Sequence, residues 1–381
     1  MKKYALTLVI AVLPFISGLA QATSKDWYDK GVSEKKNAKY EDAIASFKKA
    51  VALEASYADA WHQLGWCYNE EGLFNEAIDA FKKEAMNGTT DKAGNNFEMG
   101  YAYKGLKNYD DALICFNKAI GFDTNYALAY KERGNTNFKK TEYSLALDDY
   151  NKYESMSDNI PDAVFYYDKG WCENELKQYS EAVSSLTKCV GLDNKYSNAY
   201  SELGYAYYEL SLDNESINNY RIAIALTNEA DYLPILGMAD VYYDNLKNYD
   251  SAIVYYEKGT QIQKKNKTAF YRLGWCFNDR DRFTDAIEPL QAAILLDDEY
   301  DNARTELGYA YYKLKKYDDA LAQFRPVMNR NANDELSRYY AGLCYYLLNN
   351  PESLKKMIDE LKAINTTNSL KYVETLTKYI K

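Results

Sequence analysis

A glycine returns along this chain at a nearly fixed interval, and that period limits the fold more than any other feature. Gly31, Gly65, Gly100, Gly134, Gly170, Gly204, Gly274, Gly308 and Gly342 are spaced by 34 to 36 residues, with one gap of two periods in which Asp240 takes the missing place. Ten units follow. A period of this length marks a stack of small supersecondary units, each burying its apolar face only against its neighbours, rather than two or three compact globules. Other residues keep their distance from the glycine. Nine on stands an aromatic (Tyr40, Phe74, Tyr109, Tyr143, Tyr179, Tyr249, Phe283, Tyr317) and twelve on an alanine (Ala43, Ala77, Ala112, Ala146, Ala182, Ala252, Ala286, Ala320). Sixteen on, a large residue recurs, as in Phe47, Phe81, Phe116, Tyr150, Tyr220 and Phe324.

These offsets describe two helices. Trp61, Leu64, Gly65 and Tyr68 share one helical stripe, and after a polar turn at Glu71-Gly72 the stripe resumes with Ala77 and Phe81. Small residues at the glycine and alanine positions let two backbones approach, and the large residues fill the space around them. Only 6 prolines interrupt the chain. Pro289 and Pro326 fall inside second helices, where each is predicted to kink or shorten its helix, whereas Pro161, Pro234 and Pro351 fall at helix starts. Unit six departs from the pattern, with Asp213 and Ser216 in place of the aromatic and the alanine.

The run Trp61-x-x-Leu64-Gly65-x-x-Tyr68 followed by Ala77-x-x-x-Phe81 resembles the tetratricopeptide repeat (TPR) family, and the resemblance extends from about residue 24 to about 365. It implies an all-α, right-handed superhelical solenoid of about ten helix-turn-helix units over residues 23–365. Residues 366–381, with Leu370, Val373, Leu376 and Ile380 on one stripe, are expected to form a helix capping the end of the stack.

A longer period lies inside the shorter one. Gly65-Trp66-Cys67, Gly170-Trp171-Cys172 and Gly274-Trp275-Cys276 repeat about every 104 residues, and Gly-Tyr-Ala-Tyr at 100–103, 204–207 and 308–311 does the same, so a three-unit block occurs three times from about residue 58. One and four residues past the glycine lies a stripe turned away from the packing face, which in TPR arrays faces the concave groove. Here it holds Trp66 and Asn69, Trp171 and Asn174, and Trp275 and Asn278, each pair followed by Glu70, Glu175 or Asp279, with Tyr101, Tyr205 and Tyr309 in the tryptophan place of the next units. Large flat side chains beside amides and carboxylates suit a binding surface. The competing account is that block duplication copied them and they only pack. Most of the 40 tyrosines fall on packing stripes and are assigned to the core and the turns.

The first residues read as a leader. Lys2 and Lys3 precede an apolar run from Tyr4 to about Ile16, and Ala20-Gln21-Ala22 supplies a small-x-small cleavage site, so residues 1–22 are expected to be a cleaved signal peptide. A retained anchor is the alternative, but the run is short for a span and Pro14 interrupts it. Cys67 is the first cysteine, so no lipid-bearing cysteine stands at the cleavage site. Cleavage takes the balance from 46 basic against 56 acidic residues to 44 against 56, a formal charge of −12 instead of −10, which opposes nucleic acid and anionic membranes as partners.

Nothing in the sequence points to catalysis or a cofactor. His62 is the only histidine, on the groove side of its helix, where a ligand contact or an idle surface group is expected. There is no Cys-x-x-Cys and no phosphate-binding glycine loop. Of the 6 cysteines, Cys67, Cys172, Cys276 and Cys344 sit in units too far apart to bond, and only Cys172 and Cys189 share one. The expected protein is an exported scaffold, periplasmic or secreted, that holds extended segments of other proteins or peptides in its groove for an envelope or secretion complex. Glycan capture by the same aromatics is the alternative. The resemblance also raises a co-chaperone reading, but only Lys131 and Asn135 match the groove Lys and Asn of such proteins, and Asp168 stands where a neutral residue is wanted.

Overall fold

The computed structural model describes residues 22–156 and 161–380. Among them are α-helices α1 to α21, one π-helix and no strand. The proposed leader lies, apart from Ala22, outside the described residues. The chain divides into two compact units, 1–160 and 161–381.

The first unit contains four helical pairs: α1 (Ser24–Lys36) with α2 (Tyr40–Leu53), α3 (Ala58–Glu70) with α4 (Phe74–Met86), α5 (Lys92–Gly105) with α6 (Tyr109–Phe122), and α7 (Ala127–Lys139) with α8 (Tyr143–Met156). The second contains six: α9 (Ala163–Glu175) with α10 (Tyr179–Leu192), α11 (Ser197–Glu209) with α12 (Asp213–Leu226), α13 (Tyr232–Asp240) with α14 (Tyr249–Ile262), α15 (Lys267–Asp279) with α16 (Phe283–Leu296), α17 (Asp301–Lys313) with α18 (Tyr317–Arg330), and α19 (Glu335–Leu347) with α20 (Pro351–Ile364). A last helix, α21 (Thr367–Thr377), packs on α19 and α20. Within each unit the first helices also touch from pair to pair, α13 and α15 through the bond from Arg272 to Asp240, so these helices form a continuous wall.

The repeating glycine is where paired helices come closest. A Cβ added to Gly31, Gly65, Gly100 or Gly308 would stand 2.4 to 2.8 Å from the ring of Phe47, Phe81, Phe116 or Phe324, the large residue sixteen positions on. The alanines twelve positions on are fully buried at the same seam. In unit six Ser216 replaces that alanine, and its hydroxyl donates to the Gly204 carbonyl at 2.7 Å, which satisfies the buried polar atom.

Asp240 occupies a glycine position by a different solution. The Tyr256 hydroxyl, from the sixteenth position on, donates to its carboxylate, and Arg272 bonds it from the next pair. The backbone then opens into a π-helix at Val241–Asn245. Close approach within this pair moves to Gly259 of α14, where a Cβ would meet Leu236 Cδ2 at 2.3 Å, while Gly237 takes the Tyr220 ring of the preceding pair at 2.5 Å.

Pro289 and Pro326 do not shorten their helices. Both α16 and α18 run for 14 residues, as long as the other second helices of the array. A proline forfeits one intrahelical hydrogen bond, and the fully buried Ala286, Leu290 and Ala293 of α16, or Ala320 and Phe324 of α18, hold the helix to its partner across that gap.

The turn within each pair carries a backbone feature with no residue signature. Seven positions past each glycine mark the backbone is left-handed, at Ala38, Gly72, Lys107, Thr141, Lys177, Ser211, Lys247, Asp281, Lys315 and Asn349, with φ between 51° and 71°.

Candidate functional site

The aromatic stripe stands on the wall made by the first helices. Trp66, Trp171, Trp275 and Tyr309 are half-buried, and Tyr101 and Tyr205 are exposed, so none of the six rings is sealed from solvent. At four of the six positions the aromatic that opens the second helix of one pair braces the stripe aromatic of the next. Tyr40 meets Trp66 edge-on at 5.7 Å, Tyr179 meets Tyr205 at 6.0 Å, Tyr249 meets Trp275 at 5.0 Å and Phe283 meets Tyr309 at 5.9 Å. The rings are thereby held in fixed orientations, which lowers the entropy lost when a ligand packs on them.

The asparagines do not lie open in the groove. Asn69, Asn174 and Asn278 are buried, at 5%, 3% and 4% exposure, because the stripe four past the glycine falls at the junction with the next first helix. Each side-chain amide donates twice to one glutamate of that helix. Asn69 reaches the Glu98 carbonyl at 3.2 Å and its carboxylate at 2.9 Å; Asn174 reaches Glu202 at 3.2 and 2.8 Å; Asn278 reaches Glu306 at 3.0 and 2.8 Å. The amide N–H groups are thus spent on joining neighbouring pairs, while Oδ1 of all three asparagines has no hydrogen-bond partner.

The glutamates are the site residues that the sequence reading passed over. Burial pushes the Glu98, Glu202 and Glu306 carboxyls above their ordinary range, and the asparagine bond pulls each part of the way back. Their signal is an acid two before the glycine in each Gly-Tyr-Ala-Tyr unit. It becomes legible only when one unit's position four past the glycine is set against the next unit's position two before it. The repeated element is therefore a cell of four residues from two adjoining helices: Trp66, Asn69, Glu98 and Tyr101; Trp171, Asn174, Glu202 and Tyr205; Trp275, Asn278, Glu306 and Tyr309.

His62 is not an idle surface group. Its Nδ1 lies 3.0 Å from the buried Glu84 carboxylate, which also accepts from Thr89 at 2.6 Å and Asn95 at 2.8 Å, so the group ties α3, α4 and α5 together. All six cysteines are free and buried. Burial pushes the Cys67 and Cys115 thiols up to about 11 and those of Cys189, Cys276 and Cys344 up to about 12, far from the nucleophilic thiolate. Among the described residues no cluster of His, Cys, Asp and Glu is arranged to hold a metal ion, and no helix is long and apolar enough to cross a membrane.

Comparison with known proteins agrees with this architecture. One tetratricopeptide repeat profile matches residues 28–92 and 305–353, and a second matches 93–126 and 163–196. The profile of anaphase-promoting complex, cyclosome, subunit 3 matches residues 245–327. Heat shock protein STI1 of Saccharomyces cerevisiae is 31% identical over 97 residues, which cover 26% of this chain and 16% of that protein. A TPR repeat-containing protein of Methanocaldococcus jannaschii is 21% identical over 332 residues, 83% of this chain and 57% of the relative. The chain therefore spans less than two thirds of the length of either relative. Among solved structures, the C-terminal part of a TPR repeat-containing protein from Cytophaga hutchinsonii has a TM-score of 0.50 at 19% identity, covering 65% of this chain and 99% of that one, a likeness of fold.

Proposed function

Because this chain belongs to the tetratricopeptide repeat family, a family of protein-interaction scaffolds, we propose that it is an exported, non-catalytic scaffold that grips extended segments of partner proteins along the wall of its first helices. The observation that carries the reading is the row of braced, solvent-reachable aromatics recurring with each three-unit block. Such rings bury large areas with little loss of freedom. Export rests on Lys2, Lys3, the apolar run to Ile16 and the Ala20-Gln21-Ala22 site. A periplasmic or secreted scaffold with this surface suits the assembly of an envelope or secretion complex.

Peptide is favoured over glycan by the state of the asparagines. Sugar recognition draws on open amide donors, and those of Asn69, Asn174 and Asn278 are already committed to glutamates. The local identity to STI1 does not extend a co-chaperone role here, since the groove Lys and Asn pattern is confined to Lys131 and Asn135.

Crosslinking in the native host, with Trp275→Ala beside the wild type, tests the reading. The wild type should capture partners that the variant loses while keeping its helical spectrum. A variant that retains every partner defeats the groove assignment. Mass spectrometry of the fractionated protein tests export, and an N-terminus at Thr23 is the expected result.

A further inference from the structure

The third cell opens into a cavity whose chemistry is one-sided. The cavity has a volume of about 270 Å³, smaller than the roughly 300–1,000 Å³ of a small-molecule site and suited to one side chain. Three carboxylates border it, those of Asp279, Asp281 and Glu306, and the rings of Trp275, Tyr309 and Tyr340 supply its walls. No basic residue lines it. Asn278 also lines it, 4% exposed, with its Oδ1 lacking any hydrogen-bond partner. A buried acceptor without a donor is costly and calls for one.

The first cell shows how this scaffold treats a cation. There the Lys35 ammonium lies 3.6 Å from the centroid of Trp66 and donates to Gln63 at 2.8 Å, with the charges of Glu98 and Glu70 acting on it. Lys104 lies over Tyr101 and pairs with Glu132. At the positions corresponding to these three charged residues the third cell has Asp244, Tyr312 and Tyr340. Asp244 is bonded to Arg272 and Tyr208. The chain's own cations nearby do not fill the space. Arg280 pairs with Asp279 at 3.2 Å, and Lys313 sits over Phe283 and Tyr309 at 5.0 and 5.7 Å, both outside the cavity lining. Among the described residues no ion pair reaches Asp281 or Glu306.

We propose that the cavity bounded by Trp275, Asn278, Asp281, Glu306, Tyr309 and Tyr340 takes a lysine or arginine side chain of the bound segment, so that the partner is basic where it crosses this cell. The inference rests on the peptide-binding reading given above and specifies it. An ammonium or guanidinium group brings donors to the carboxylates, and its charge rests against the ring faces. The overall acidity of the chain draws such a segment in but does not select the cavity.

Calorimetry with the full chain tests the assignment, using short extended peptides that alternate glycine with lysine, arginine, norleucine or glutamate. The lysine or arginine peptide should bind, and the norleucine and glutamate peptides should bind at least tenfold more weakly. Glu306→Gln combined with Asp281→Asn keeps the shape of both side chains and should weaken the cationic peptide at least tenfold with no change in melting temperature. Asp298→Asn with Glu299→Gln removes the same charge from residues that do not line the cavity, and should leave affinity unchanged. Equal weakening by the two double variants, full affinity in the first, or a norleucine peptide that binds as well as lysine would each overturn the cation site alone. A chain that binds none of the peptides, and no partner segment, overturns the peptide-binding reading with it.

Discussion

At the scale of single residues, the seam between paired helices tolerates no added atom. A methyl group at Gly308 would stand 2.4 Å from Phe324 Cε1 and 2.7 Å from Cζ, in a ring that is itself fully buried. Gly308→Ala should therefore cost about 1–3 kcal/mol, the usual range for overpacking, measured as a lower urea midpoint. His62 gives a second prediction. Burial pushes its imidazole down, but the bond to Glu84 and the charge of that carboxylate outweigh this and hold it above 6.5. A histidine so raised stabilises the fold fully below its unfolded value, and that contribution is lost as pH rises through the folded one. Glu84 behaves oppositely. Burial pushes it up, the bonds from His62, Thr89 and Asn95 hold it below its ordinary range, and its contribution is lost on acidification. Wild-type stability should fall as pH rises above about 6.5, by an amount that His62→Gln abolishes. As the only histidine, His62 can be followed by its own NMR resonance, which should titrate above 6.5.

At the scale of the element, the turn between paired helices was legible only in part. The glycine, aromatic and alanine offsets placed all ten turns, because burial dictates residue type at those points. The left-handed residue seven past the glycine left no mark, since lysine, serine, threonine and alanine occupy seven of the ten positions and a residue suited to it only three. Such a conformation costs an ordinary side chain about 1–2 kcal/mol, a strain that the packing of both flanking helices overrides. Gly72→Ala should thus destabilise by about 1 kcal/mol, and Lys177→Gly should stabilise by up to about 1 kcal/mol, both read from thermal midpoints. The asparagines were placed on the correct stripe and given the wrong surroundings for a related reason. A helical wheel shows which way Asn278 leaves its own helix, but Glu306 arrives 28 residues later on another. Only stacking brings them together. Pro289 and Pro326 leave helix length intact for the same kind of reason, since burial along the helix offsets the local penalty.

At the scale of the whole molecule, stability is a chain of nearest-neighbour contacts, and an end needs its own solution. The last glycine, Gly342, finds its covering side chain not at the sixteenth position on but in the added helix, where a Cβ on it would meet Leu376 at 2.7 Å. Leu376 is fully buried among Leu343, Leu354, Ile358 and Leu361. Leu376→Ala should cost about 2–5 kcal/mol, and hydrogen exchange should show the loss confined to α19, α20 and α21. Six thiols shut inside this array have a bearing on its making. Each is free and buried, so the finished fold contains no bridge to lock and none to reduce. A chain still extended has no such shelter. If such a chain folds in an oxidising compartment, early burial of each sulfur is what keeps it from oxidant and from bridges between distant pairs.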